Sequence, residues 1–326
     1  MKLVSKIALS LFAGAVSAVS TSAQVSFNFN YTTGSELFTQ EAKDSLESAA
    51  SIASSIFTHT ASIDIEVTAV SNGSTTLASA GSNFSGPFAN GFGNRGVVGT
   101  KIVTNNGTDL NGATADGTVT VNFGQPWDFD DSIAAGKFDF KSTMIHELLH
   151  AVGFSSDIQE NGNDAFGTTP GNPGKWVPFD EFVSDSNGFL IDSQFQLNGT
   201  AWNAASVGGT GASPAANGLY FNGTNAANAF GGPVPLYSPN PWEGGSSGSH
   251  LDDSYFNGTT APLMLMNAAT STGQGIRTFS NVELGILRDI GFTVVPEPHE
   301  YAIFAALGLG VLVISRRRRM VSVSGD

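Results

Sequence analysis

Residues 142–154 read Ser142-Thr143-Met144-Ile145-His146-Glu147-Leu148-Leu149-His150-Ala151-Val152-Gly153-Phe154. Ile145, Leu148, Leu149 and Val152 recur at threes and fours, which predicts a buried helix over 139–152 closed by Gly153. His146 and His150 then share one face, one turn apart, and both imidazoles can reach one ion. Glu147 projects near the same point, where a carboxylate can take a proton from water polarised by a metal. A chance H-E-x-x-H in a chain with 5 His is expected only ~0.003 times. Burying two imidazoles and a carboxylate with no basic partner is costly without a cation.

Two imidazoles do not complete a catalytic zinc site, which takes three protein ligands and leaves the fourth position open. The extended pattern H-E-x-x-H-x-x-G-x-x-H would put a third His at 156, but that residue is Ser156, and Asp157 comes one position late. Of the other His, His59 ends the first predicted helix and His299 falls in the C-terminal tail. His250 remains, in Gly248-Ser249-His250-Leu251-Asp252, followed by Leu263-Met264-Leu265-Met266-Asn267. The chain has no cysteine, so disulfides, thiolate ligands and cysteine nucleophiles are excluded. Any metal must be held by His, Asp or Glu.

On either side of this motif the chain is organised as follows. Alternating Val25, Phe27, Phe29 and Tyr31 predict a strand, and Phe38, Ala42, Leu46, Ala49, Ala53 and Ile56 an amphipathic helix. Residues 63–69 read as a second strand, 71–94 as Gly/Ser/Asn-rich loop, and 96–103 and 119–123 as further strands. Residues 154–249 are loop-dominated, with order expected only at 179–183 and 189–195; Trp176, Phe179 and Phe182 read as core of this insertion. A connection that long usually carries function. The last helix, 280–290, starts at a capping box of Ser280 and Glu283 and stops at Gly291. Asp128, Asp130 and Asp131, and the run 157–164, offer oxygen ligands for calcium, although solvated turns account for them as well. Tyr255 reads as a packing or surface residue.

Both ends read as targeting segments. Lys2 and Lys6, the apolar run 7–16, and Thr21 and Ala23 before Gln24 predict a signal peptide over 1–23. At the other end Pro296-Glu297-Pro298 precedes an apolar stretch, 301–314, and Arg316, Arg317, Arg318 and Arg319. Fourteen apolar residues at ~1.5 Å each reach ~21 Å, short of a ~30 Å hydrocarbon core. With 14 Lys+Arg against 28 Asp+Glu the net charge is -14, which excludes nucleic acid as a partner. Sparse charge and abundant Gly, Ser, Thr and Asn suit an exported bacterial protein.

The set His146, Glu147, His150, Gly153, Phe154, a long insertion, Ser249-His250-Leu251-Asp252, a Leu-Met turn and a helix ending Asp289-Ile290-Gly291-Phe292 resembles the metzincin metallopeptidases. Leishmanolysin and its bacterial relatives are the nearest branch, because they too delay the third His. The resemblance covers about residues 138–292. It implies an α+β zincin-like, two-lobed domain over 24–295. A twisted mixed sheet and the active-site helix would lie above the cleft (24–153), with a loop-rich lower lobe and a closing C-terminal helix below it (154–295). It implies Zn2+ held by His146, His150 and His250, Glu147 as general base, and a methionine floor. Met266 fits that floor better than Met264, though either could serve. It also implies that a protein or peptide substrate pairs with an exposed edge strand beside the active helix, for which 119–123 is the candidate. The last 31 residues, 296–326, resemble the PEP-CTERM sorting signal of Gram-negative bacteria, whose implied partner is an exosortase-type membrane enzyme after transient anchoring. The expected molecule is an exported, monomeric zinc endopeptidase. Leishmanolysin's disulfides and its propeptide-cysteine latency are impossible here. The alternative is a surface or matrix-binding protein on the same scaffold with structural zinc or lost activity; Glu147 argues against it, since a structural site needs no base.

Overall fold

A computed structural model describes residues 25–209 and 217–295, so the signal peptide and the sorting tail expected from the sequence lie outside the described residues. The chain is mixed α+β, with a mixed four-stranded sheet and six α-helices among the described residues. None of those helices is long and apolar enough to cross a membrane.

Strand β1 (Val25–Tyr31) alternates buried Val25 and Phe27 with exposed Ser26 and Asn28. It leads into α1 (Gln40–Ser54), capped where the Thr39 side chain accepts the Ala42 N–H. Ala42, Leu46, Ala49 and Ala53 form its buried stripe. Strand β2 (Ala61–Val70) returns parallel to β1, in register from Val25↔Ala61 to Tyr31↔Val67. A parallel return requires such a crossover helix. Strands β3 (Ala78–Ser82) and β4 (Gly117–Asn122) complete the sheet in the order β1-β2-β4-β3, with β4 parallel to β2 and β3 antiparallel to β4.

Two expectations fail here. Residues 96–103 are not a strand but α2 (Val97–Val103). Their β-branched residues suggest a strand, yet Val97, Val98, Lys101 and Ile102 are all buried, the one-face spacing of a helix. Lys101 points inward to Asp116 at 2.9 Å, a buried ion pair that strand alternation would not direct. The run 119–123 is not the edge either. Strand β4 is interior; the edges are β1 and β3, and the edge packed on the helix over 140–152 is β3, inside the stretch expected to be loop. Ala-Ser-Ala-Gly-Ser carries no apolar alternation, because this strand is only partly covered.

A short parallel pair, β5 (Trp127–Asp128) and β6 (Phe138–Asp139), delivers the chain to α3 (Phe140–Val152). Met144, Ile145, Leu148 and Leu149 are fully buried, and α3 packs on α1 and β3. Asp139 is its N-cap, accepting the Lys141 N–H at 3.1 Å. The Arg277 guanidinium holds both oxygens of Asp139 at 2.8 Å.

Residues 154–249 are more regular than expected. Strands β7 (Val183–Asp185), β8 (Gly188–Phe189), β9 (Tyr220–Phe221) and β10 (Val234–Pro235) form a small antiparallel sheet in the order β10-β9-β7-β8. Helices α4 (Gly199–Ala205) and α5 (Thr224–Phe230) lie between its strands in sequence, α4 before β9 and α5 between β9 and β10. Trp176 and Phe179 are buried core, as expected, while Phe182 is partly buried against that core; Trp202 and Phe221 are buried with them. Helix α6 (Asn281–Asp289) shows both halves of the capping box between Ser280 and Glu283. It packs on α5 so closely that a Cβ on Gly285 would meet Ala226 Cα at 2.7 Å. Val294 then bridges back to Phe57 beyond α1, so the last described residues close onto the first helix.

Candidate metal centre

Helix periodicity places His146 and His150 one above the other on α3. His250 reaches them from the loop before Leu251, which is bridged to Leu236 and Asn267. The three Nε2 atoms form a triangle with edges of 2.9, 2.9 and 3.1 Å. Every Nδ1 faces a backbone carbonyl: Leu265 O at 2.8 Å for His146, Phe154 O at 2.7 Å for His150 and Ser246 O at 2.8 Å for His250. A carbonyl only accepts, so each Nδ1 carries the proton and each neutral ring turns a bare Nε2 lone pair toward the other two. Burial holds the rings neutral, pushing His146 down to about 4 and His250 down to about 3, with the His146 ring adding to the shift at His250. His150 lies well below its ordinary value through burial and then through its two His neighbours.

Three lone pairs at such distances repel one another and have no proton to share. This donor set fits a cation, and the group can hold a metal ion. For comparison, nitrogens ~2.0–2.1 Å from a tetrahedral zinc stand roughly 3.3–3.4 Å apart.

Gly153 is the local device behind the placement of His150. Its φ of 125° turns the chain back at the end of α3. That turn sets the Phe154 carbonyl beneath His150. His146 depends on the 264–267 turn, whose Leu265 carbonyl faces its Nδ1. This turn hangs from α6: fully buried Glu283 accepts the Met266 N–H at 2.8 Å through Oε1, while its Oε2 takes the Ser280 N–H and hydroxyl. The capping box was legible; this second role of Glu283, across 17 residues, was not.

Glu147 is buried at 6% exposure beside the trio. Burial pushes its carboxyl up to about 8, partly offset by a hydrogen bond from the Ala80 backbone on β3. The trio and Glu147 line a cavity of about 800 Å³, whose walls include residues 75–80, 243–246, 263–265 and 267–271. Met264 is half-buried and lines this cavity, whereas Met266 is fully buried next to Leu265.

Asp157 stays outside the ligand group, with its Oδ2 buried and without a hydrogen-bond partner. Ser156 bonds Asp180 instead. Among the described residues the three His are the set of three or more His, Asp or Glu whose ligand atoms converge, within 4.8 Å. Within the acidic runs considered for calcium, Asp128 accepts the Asp130 and Ala134 N–H groups, and Asp131 pairs with Lys141 and Arg277. Asp164 accepts three backbone N–H groups, from Phe166, Thr168 and Lys175. Tyr255 packs on Phe230 and Phe256 and does not line the cavity. No protein-family model matches the chain, and no curated protein is similar to it.

Proposed function

We propose that the chain is a zinc-dependent endopeptidase with a two-lobed, metzincin-like fold. The observation that supports this best is the convergence of three bare imidazole nitrogens beside a buried carboxylate, in a cavity walled by an open strand edge. Three neutral imidazoles with no thiolate suit zinc among the borderline metals, and three protein ligands leave the open position of a catalytic site. His146, His150 and His250 would hold it. When bound, zinc supplies a Lewis acid that polarises a carbonyl and acidifies water.

The chain's own residues supply the rest. Glu147, one residue from His146, accepts the proton of the attacking water and returns it to the leaving amine. A dication nearby favours its ionised form over the neutral form that burial alone favours. Ala80 orients that carboxylate from β3, and the same strand edge offers backbone groups to an extended peptide. Met266 belongs to the floor of the site, through the turn that holds His146. The export and sorting signals read from the sequence support a location outside the cytoplasm, with the chain first held at the inner membrane. Intact-mass detection of residues 299–326 on the mature native protein would remove the sorting part.

The central test is Glu147→Gln with metal analysis and casein cleavage. Zinc content should stay at one per chain while turnover falls by ~10² to 10⁴. Wild-type protein without metal, or a fully active Glu147→Gln, would overturn the reading.

A further inference from the structure

The third ligand arrives a hundred residues after the second, and a buried polar chain connects the two places. Asp180, 0% exposed in a short 3-10 turn, accepts the Ser156 hydroxyl at 2.7 Å and the Asp157 N–H at 3.2 Å through Oδ1. Its Oδ2 takes the Val177 N–H at 3.2 Å. The turn just after α3 is thereby fixed to the insertion. Ser156 is in turn gripped at both backbone groups by one hydroxyl: Ser249 Oγ accepts its N–H at 3.2 Å and donates to its carbonyl at 3.1 Å. Ser249 is the residue before His250. Both serines are buried, at 9% and 6% exposure. On its other side the His250 carbonyl accepts the Tyr237 N–H at 2.8 Å. His250 therefore stands between two anchors, and the Ser249 anchor leads back to the end of the helix that carries the other two ligands.

We propose that Asp180, Ser156 and Ser249 form a buried clasp that positions His250 against His146 and His150. The insertion at 154–249 is then the support of the third ligand. None of the three touches the metal; they are positioning residues, and the inference rests on the metal-centre reading. Metal ligands tolerate misplacement of only ~0.5 Å, and loss of a partner that orients a ligand weakens metal binding about 10- to 100-fold. A merely structural role would lower melting temperature and leave affinity alone.

The full chain decides this with zinc and cobalt as the probes. Chelator competition gives the affinity, and the visible absorption of the cobalt form reports the coordination. Ser249→Ala should weaken both metals about 10-fold or more and alter the cobalt spectrum, while Ser249→Thr, which keeps the hydroxyl, should restore wild-type affinity within about threefold. Asp180→Asn should weaken binding as well, and the double variant should lose little beyond the larger single loss, because both act through one chain. If Asp180→Asn fails to fold, Ser249→Ala and Ser249→Thr carry the decision. Wild-type affinity and an unchanged spectrum in Ser249→Ala would overturn the clasp while leaving the metal centre standing. Wild-type protein that takes up neither metal would overturn both.

Discussion

At the residue scale, Asp157 is held at a cost. Its Oδ2 is buried without a partner, and burial pushes its carboxyl up to about 6. Its neighbour Asp180 is raised well above the usual carboxylate range by burial and then by Asp157. A raised folded-state pKa means that the folded chain keeps a proton the unfolded chain releases near pH 4. Asp157 therefore favours folding below about pH 4, and that advantage is lost as pH climbs to about 6. Asn cannot ionise. Asp157→Asn should thus gain stability over wild type between pH ~4 and ~6, by at most about 3 kcal/mol, and hold that gain above. Denaturant melts at several pH values with no widening gap would refute this. The same variant should keep its zinc, because Asp157 is not in the trio. His146, Glu147 and His150 were legible in the sequence because a helix fixes their relative places by spacing alone. His250 came by elimination among five His. The carbonyls that fix the tautomers, and Asp180 behind Ser156, were illegible, because contacts between distant segments leave no local pattern.

At the element scale, the edge of the sheet beside α3 belongs to β3. Leu77 O and Asn83 N both bond toward β4 and its approach, so antiparallel alternation leaves the backbone groups of Ala78 and Ala80 facing away. The Ala80 N–H is taken by Glu147, and residues 75–80 line the cavity. An extended substrate pairing here would meet the free groups of Ala78. Proline removes an N–H and is tolerated on an edge strand. Ala78→Pro should therefore raise KM for a peptide about 10-fold while zinc content stays unchanged, since one substrate hydrogen bond in a buried cleft is lost. An unchanged KM would move the substrate elsewhere. Sequence patterning missed this strand and misread α2 for one reason: it registers apolar periodicity. Strand β3 is small and polar, and α2 is β-branched on a helical face. The elements with strong stripes, β1, α1, β2, α3 and α6, were legible to within a few residues.

At the scale of the whole molecule, the ligands tie distant parts together. His146 and His150 come from the helix that packs on α1 and β3, and His250 from the loop between β10 and the 264–267 turn. Each of these parts is also tied in elsewhere, α3 by its fully buried apolar face and the His250 loop by the bridges from Leu251 to Leu236 and Asn267. Removing the metal should therefore not unfold α3, but it returns three facing lone pairs to one pocket with nothing between them. At metal concentrations 100- to 1,000-fold above Kd, binding stabilises by about 2.7–4.1 kcal/mol, or roughly 5–15 °C in a domain of this size. Chelation should lower Tm by that much. Amide exchange should rise first in residues 246–252, which hold the delayed ligand, before it rises in α3, whose helical hydrogen bonds do not depend on the ion. Equal Tm with and without chelator, in protein shown to carry metal beforehand, would mean that the trio is stable without a cation, and the repulsion between its three bare nitrogens would need another explanation.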